Sequence, residues 1–101
     1  MNYSIEIAPT AQREWKKLDK SIKQQFVKKL QKLQASPRIS SAKLSGHSNA
    51  YRIKLRAAGY RLIYLVHDER LIILVVAVAK RDSSKEDVYN LATARLARYH
   101  D

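Results

Sequence analysis

The chain has 101 residues, no cysteine and a formal net charge of +11 at pH 7. The length predicts one domain spanning residues 1–101, and the lack of cysteine excludes disulfides and thiolate chemistry. The longest apolar run, residues 71–79, is too short for a membrane span of ~20 residues, and the N-terminus does not have the pattern of a signal peptide. We therefore predict a cytoplasmic protein with no membrane partner.

Positive charge is concentrated in the middle of the chain. No Asp or Glu lies between Asp19 and Asp68. The same stretch contains Lys20, Lys23, Lys28, Lys29, Lys32, Arg38, Lys43, Arg52, Lys54, Arg56 and Arg61. Positive charges at this density repel one another and attract polyanions. The sequence therefore indicates a nucleic acid or an acidic protein as partner, although a solvated basic surface would give the same pattern.

The first part of the chain is predicted to contain one strand and two helices. Apolar residues occupy alternate positions at Tyr3, Ile5 and Ile7, which is typical of a strand. Pro9 suits the first turn of a helix, and Ser21 with Gln24 forms a capping box for a second helix. Apolar residues recur at helical spacing at Ala11, Trp15, Leu18, Ile22, Phe26, Leu30 and Leu33. Two amphipathic helices, or one broken helix, thus form a hairpin that ends before Pro37.

A loop, three strands and a last helix are predicted to follow. Polar and small residues indicate a loop over residues 38–50. Strands are predicted over residues 51–56, 60–66 and 71–79, with turns at 57–59 and 68–69. The last strand is apolar on both faces, so we place it in the centre of the sheet. Ser84 and Asp87 form a second capping box, before an amphipathic helix marked by Val88, Leu91, Ala92 and Leu96.

The first strand of this meander has a cation at every second position. Its apolar members face the core, which leaves Arg52, Lys54 and Arg56 in a row on the other, open face. A connection with an even number of residues would put Arg61 of the next strand on that same face, and an odd one would not. We predict the even connection. Arg81 follows the central strand, at the same end of the sheet as the first turn.

Cations that converge on one phosphate can do more than bind it. Attack by an RNA 2′-hydroxyl passes through a phosphorane of high negative charge, which fixed guanidinium and ammonium groups stabilise more than the ground state. A lysine among arginines has its charged form disfavoured, so we expect the pKa of Lys54 to fall toward neutrality and this lysine to accept the 2′-hydroxyl proton. Spacing alone favours plain phosphate binding over catalysis, and both interpretations stay open at this point.

Other chemistries have little support in the sequence. The three histidines are isolated and lack the spacing of metal ligands. Glycine occurs only at Gly46 and Gly59, so a glycine-rich phosphate loop is excluded. We expect neither a metal nor a cofactor. Tyr89, early in the last helix, is either a packing residue or, if it faces the cations, a platform for a base.

Four segments carry a recognisable pattern. They are YRIKLRAAGYRLIY at residues 51–64, EWKKL at 14–18, SPRI at 36–39 and VAKR at 78–81. Together they resemble the toxins of the RelE family, and the resemblance extends over nearly the whole chain. It implies a RelE/ParE-type α+β fold, in which an N-terminal helical hairpin and a C-terminal helix pack on a small, mainly antiparallel, twisted β-sheet.

The resemblance also implies an enzyme, because RelE toxins cleave mRNA in the ribosomal A site by attack of the 2′-hydroxyl, without a metal. Matched position by position, Lys54 is the general base and Arg61 stabilises the transition state. Arg81 matches the residue that stabilises charge and assists the leaving group. Arg52, the fourth residue expected to be catalytic, stands where the family often has lysine, so the charge is kept while a role in proton transfer is not implied.

Further residues are expected to bind RNA. Tyr89 is the counterpart of a base-stacking tyrosine, although it follows Arg81 at a longer spacing than usual. Arg56 and Lys80 are expected to bind phosphates. Ser45 stands where some members of the family carry an arginine, so one RNA contact is expected to be missing.

The family implies several partners. A cognate antitoxin covers the basic face or displaces the last helix, the ribosome and its mRNA are the target, and promoter DNA is bound indirectly through the antitoxin. One alternative is a toxin of the ParE branch, which shares the fold and poisons DNA gyrase without catalysis but generally lacks the cation cluster. Another is a nucleic-acid-binding module with no activity.

Overall fold

A computed structural model describes residues 2–80 and 88–99 of the chain. The four strands are β1 (Ser4–Ile7), β2 (Ala50–Leu55), β3 (Tyr60–His67) and β4 (Ile72–Lys80). The helices are α1 (Gln12–Lys16), α2 (Lys20–Leu33) and α3 (Val88–Leu96), with 3-10 turns at Pro9–Ala11 and Ser40–Ala42. Within this described part, none of the helices has the length and apolar composition needed to cross a membrane.

The strands form one sheet in the order β1-β4-β3-β2. β3 is antiparallel to both β2 and β4, whereas β1 runs parallel to β4. The predicted α+β fold with a mainly antiparallel sheet is therefore confirmed. The central position of the last strand is confirmed as well, because β4 has a neighbour on each side, and this explains why its side chains are apolar toward both faces.

Helices cover both faces of the sheet, and each face has its own apolar cluster. On one face, α2 packs Phe26 and Leu30 against Ile53 of β2 and Leu62 of β3. On the other face, α3 packs an apolar stripe against the middle of the sheet. Members of this second cluster are Ala8, Leu44, Ala50, Ile63, Leu65, Val76, Ala77, Val88, Ala92 and Leu96. The face predicted to be open is thus open only toward the β2 edge, because α3 covers its centre.

Two predicted element boundaries need correction, the start of α2 and the end of β2. α2 begins at Lys20, and Asp19 has the extended backbone of an N-cap, so Ser21 is already helical and the capping box of Ser21 with Gln24 is wrong. β2 ends at Leu55, which moves Arg56 out of the predicted strand and into the turn. The second capping box, Ser84 with Asp87, lies outside the described residues.

Arg38 joins three distant parts of the chain in one hydrogen-bond network. Its guanidinium donates to the Asp68 carboxylate at 2.8 Å, to the Asn49 side-chain oxygen at 2.8 Å and to the Ser48 carbonyl at 3.3 Å. The Tyr3 hydroxyl donates to the same Asp68 carboxylate at 2.6 Å. The loop before β2 is thereby tied to the β3–β4 turn and to the start of the chain.

This network predicts a pH dependence of stability. The hydrogen bond from Tyr3, and then the one from Arg38, lower the pKa of Asp68 below its ordinary value. The folded state therefore gains stability above the unfolded pKa of ~4 and loses it as the pH falls through the lower folded pKa. We expect Asp68→Asn to flatten the dependence of the melting temperature on pH between about pH 5 and pH 2.

The matched control for that measurement is Glu69→Gln, which removes a carboxylate from the exposed neighbouring position. Thermal melts of both variants and the parent chain across the acid range provide the comparison. An unchanged slope in Asp68→Asn, or an equal flattening in Glu69→Gln, would contradict the assigned role of the network.

Candidate active site

Lys54 of β2 and Arg61 of β3 lie directly opposite each other in the sheet. The antiparallel register pairs Lys54 with Arg61 and Leu55 with Tyr60. Residues 56–59 form the turn, so the connection has an even number of residues, as predicted. Gly59 adopts a positive φ of 74° that suits glycine, and its amide closes the turn on the Leu55 carbonyl at 2.8 Å. Directly paired residues share one face, so two cations stand side by side.

The two cations border an open depression of about 410 Å³ at this end of the sheet. Its lining residues are Lys54, Leu55, Arg56, Gly59, Tyr60 and Arg61. A volume in the range of small-ligand sites has room for a nucleotide. Leu55, Gly59 and Tyr60 were not predicted as site residues, although the position of the turn between two cation-bearing strands could have indicated them.

Arg61 is held between the sheet and α3. Its guanidinium carbon lies 6.0 Å from the centroid of the Tyr89 ring, a distance typical of a cation–π contact. Its Nε atom is buried and has no hydrogen-bond partner within the described ranges 2–80 and 88–99. Tyr89 is half-buried and its ring lies beside the Arg61 guanidinium, whereas its use as a platform for a base stays a prediction.

Arg52 lies one step away on the same face of β2 but is directed toward the preceding loop. Its guanidinium donates to the carbonyls of Ser41 and Lys43, both at 3.4 Å. Together with Lys54 it lines a second depression of about 340 Å³ at the β2 edge. The other lining residues are Lys29, Lys32, Leu33, Ile39, Ala42, Ile53 and Tyr64. Arg52 therefore extends the basic surface along the β2 edge and does not line the depression beside Arg61.

The remaining predicted site residues are placed differently. Arg56 is exposed in the turn and lines the first depression. Lys80 ends β4 and pairs with Tyr60, so by register it belongs to the face opposite Lys54. Arg81 and His100 lie outside the described residues. The structure thus brings Lys54, Arg61 and Tyr89 together, and it separates Lys80 from them.

The described part of the chain also contains side chains of the kinds that could bind a metal. Across residues 2–80 and 88–99, the His, Asp and Glu side chains form no group of three or more that could hold a metal ion. The groups at the depression are cations and two aromatic rings, those of Tyr60 in its lining and of Tyr89 beside Arg61. Such a set suits a phosphodiester next to an unstacked base.

Comparison with known proteins gives a consistent result. The family described as ParE toxin of type II toxin-antitoxin system, parDE, matches residues 5–84. A RelE-like toxin protein of Escherichia coli is 56% identical over 96 residues, which is 95% of this chain and 99% of that protein. The mRNA interferase toxin RelE of Escherichia coli strain K12 is 42% identical over the same shares.

Solved structures agree with the sequence comparison. A mutant of E. coli toxin RelE in the free state is 41% identical with a TM-score of 0.83, over 95% of this chain and 99% of that one. RelE in the intact E. coli RelBE toxin-antitoxin complex is 41% identical with a TM-score of 0.75, over 79% and 98%. Sequence and fold agree over nearly the whole chain, and the protein therefore belongs to the RelE toxin family of type II toxin–antitoxin systems.

Proposed function

We propose that this toxin is an mRNA interferase that cleaves codons in the ribosomal A site, without a metal, by attack of the RNA 2′-hydroxyl on the adjacent phosphate. The observation that carries the proposal is the pairing of Lys54 with Arg61 at the depression, beside Tyr89. Two facing cations repel each other, so an anion placed between them is stabilised by both. The name of the 42% identical E. coli relative, mRNA interferase toxin RelE, supports this assignment.

The proposed reaction divides its roles between the two paired residues. Lys54 accepts the 2′-hydroxyl proton, since it is the member of the pair that can release and take up a proton, whereas arginine stays protonated. The 2′-oxygen bonds to phosphorus as the bond to the 5′-oxygen breaks, which yields a 2′,3′-cyclic phosphate and a 5′-hydroxyl. Arg61 stabilises the phosphorane oxygens through its fixed positive charge.

Other side chains complete the proposed site. Arg81 stabilises the charge on the leaving 5′-oxygen, which takes its proton from water. Tyr89 stacks on a base next to the scissile phosphate. Arg52, Arg56 and Lys80 bind flanking phosphates, and the position of Lys80 on the other face of the sheet limits it to RNA beyond the cleaved bond.

We expect cleavage to depend on the ribosome because the depression is open and short. It is lined by one turn and the ends of two strands, which leaves most of an RNA strand unsupported. Positioning of the 2′-hydroxyl in line with the leaving oxygen must then come from outside the chain. A ribosome that holds an mRNA codon supplies that positioning.

The proposed partners follow the same logic. A cognate antitoxin binds the toxin and covers the basic face, as expected for a net charge of +11. E. coli RelE is seen in complex with an antitoxin in the RelBE structure. Promoter DNA is bound through that antitoxin, and the toxin acts in the cytoplasm.

Primer extension on programmed ribosomes tests the proposed function. Purified toxin is expected to produce cuts within the A-site codon, and the same mRNA without ribosomes is expected to stay uncut. Efficient cleavage of free RNA would contradict the dependence on the ribosome. The absence of cleavage in both reactions would contradict the mRNA interferase itself.

A gyrase supercoiling assay tests the second candidate function. The matching family is described as ParE toxin, which is the observation in favour of a gyrase poison. The paired cations favour RNA cleavage, so we expect no inhibition of supercoiling. Inhibition of gyrase without mRNA cleavage would favour the ParE-like alternative.

A further inference from the structure

The central strand β4 has a gap in its hydrogen bonding beyond the end of β1. β1 pairs with β4 only from Ser4 opposite Ile72 to Ile7 opposite Val75. On the other side, β3 pairs with Val75 and then with Ala77, so Val76 is the extra residue of a β-bulge. A bulged residue is left without a partner in the ladder. The backbone of β4 around Val76 therefore needs hydrogen bonds from elsewhere.

A partly buried ion pair supplies them. Arg95 donates to the Val76 carbonyl at 2.9 Å, and Glu14 accepts from the Val78 amide at 3.1 Å. The two side chains also bind each other through two parallel hydrogen bonds of 2.8 and 2.6 Å. Their side chains are only 16% and 25% exposed, for Arg95 and Glu14 respectively. The pair thus replaces the missing stretch of strand beside β4.

The ion pair also joins α1 to α3. Glu14 lies on α1 and Arg95 in the last turn of α3, while Tyr89 lies at the other end of the same helix. The apolar contacts of α3 come from the buried Val88, Ala92 and Leu96 and from the partly buried Tyr89 and Leu91. The hydrophobic effect is non-directional, so these contacts define the position of the helix less sharply than hydrogen bonds do. A bidentate Arg–carboxylate pair with two further backbone bonds has one geometry, so it fixes the position of α3 along the sheet.

We propose that Glu14 and Arg95 are positioning residues of the active site, which hold α3 in the one placement that sets Tyr89 beside Arg61. Neither residue is among those that line the depression. They act through the helix, and their loss shifts the Tyr89 ring away from the Arg61 guanidinium while leaving the fold intact. The consequence for cleavage rests on the proposed mRNA interferase activity, whereas the consequence for the position of Tyr89 does not.

The test compares Arg95→Gln and Glu14→Gln with Arg98→Gln. Arg98 is exposed just after α3, so its replacement removes the same charge without breaking the pair. NMR of the purified toxin reports the contact between the Tyr89 ring and the Arg61 side chain and the hydrogen exchange of the Val78 amide. We expect both variants of the pair to lose the ring contact and the amide protection, and Arg98→Gln to keep them.

Cleavage kinetics supply the second readout. In single-turnover reactions on programmed ribosomes, the two variants are expected to lower the maximal rate on the order of 10- to 100-fold, as a small misplacement of a catalytic group does. The toxin concentration at half-maximal rate should stay close to that of the parent. Arg95→Lys keeps the positive charge but cannot form the two parallel hydrogen bonds, so its maximal rate should lie between those of the parent and Arg95→Gln. The double variant should be no worse than either single one, because the pair acts as a unit.

The outcomes separate this inference from the proposed function. If the parent toxin does not cleave mRNA, the interferase fails, and the NMR comparison still decides whether the pair positions Tyr89. If Arg95→Gln keeps the ring contact and the Val78 protection, the positioning role is overturned. The same conclusion follows if the contact is lost but cleavage proceeds at the parental rate. Should either glutamine variant fail to fold, Arg95→Lys provides the same comparison with the charge retained.

Discussion

Lys54→Ala is expected to lower the rate of mRNA cleavage on programmed ribosomes by ~10²–10⁴-fold, the usual contribution of a general base. Lys54 stands opposite Arg61 and borders the depression in which the phosphate is proposed to bind. Alanine removes both the proton acceptor and one of two facing charges. Binding to the ribosome should change far less, because many other cations remain on the surface.

Lys54→Arg separates proton transfer from charge. Arginine keeps the positive charge but stays protonated at all accessible pH values. If Lys54 is the base, the arginine variant should be nearly as defective as the alanine variant. Recovery of the parental rate by arginine would show that the position contributes only electrostatics. Lys28→Ala, which removes an exposed lysine from α2, is the matched control and should cleave at the parental rate.

The local pattern of the sequence was sufficient for the placement of Lys54 and Arg61. Alternation with period two assigns each residue of a strand to a face, and the parity of a short connection carries that assignment to the next strand. The same alternation would have placed Lys80 on the face opposite Lys54, had its pairing with Tyr60 been known. That pairing depends on where β4 aligns with β3, and the alignment is not encoded in either strand alone.

Features that depend on contacts between distant segments could not be predicted. The bulge at Val76 shifts the register in the middle of an uninterrupted apolar run, in which every residue is an equally good strand former. Glu14 and Arg95 satisfy the backbone around this bulge from two helices at opposite ends of the chain. Each of them, taken alone in the sequence, looks like a charged residue on a solvated helix face. Only the fold brings them to the same stretch of β4.

The packing of α3 on one face of the sheet is another feature that could not be predicted from the sequence. The apolar stripe of the last helix indicated that it packs on something, but not on which face of the sheet. In the structure it covers the face that carries Lys54 and Arg61, so the cations are confined to the end of the sheet and the β2 edge. The placement of α3 gives the site its aromatic ring, because Tyr89 comes to lie beside Arg61.

Arg61→Met is expected to lower the rate of mRNA cleavage by ~10²–10³-fold, the usual effect of removing one donor to a charged transition state. At the same time the variant should melt at a temperature no lower than that of the parent chain. The Nε–H of Arg61 is buried without a partner within the described residues, and an unsatisfied buried donor destabilises the folded state. Methionine has a similar length and fills the space beside Tyr89 without such a donor.

Two further variants test whether the loss of rate is specific to the Arg61 side chain. Arg61→Lys keeps one charge but lacks the planar fork and the Nε–H, so it should recover only part of the rate. Arg70→Met removes an exposed arginine from the β3–β4 turn and should leave cleavage unchanged. Single-turnover cleavage and thermal melts of the purified variants provide both measurements. Full activity in Arg61→Lys would reduce the role of Arg61 to a simple charge. A melting temperature well below that of the parent in Arg61→Met would show that the Arg61 side chain serves the fold, because stability and activity would then fall together instead of moving apart.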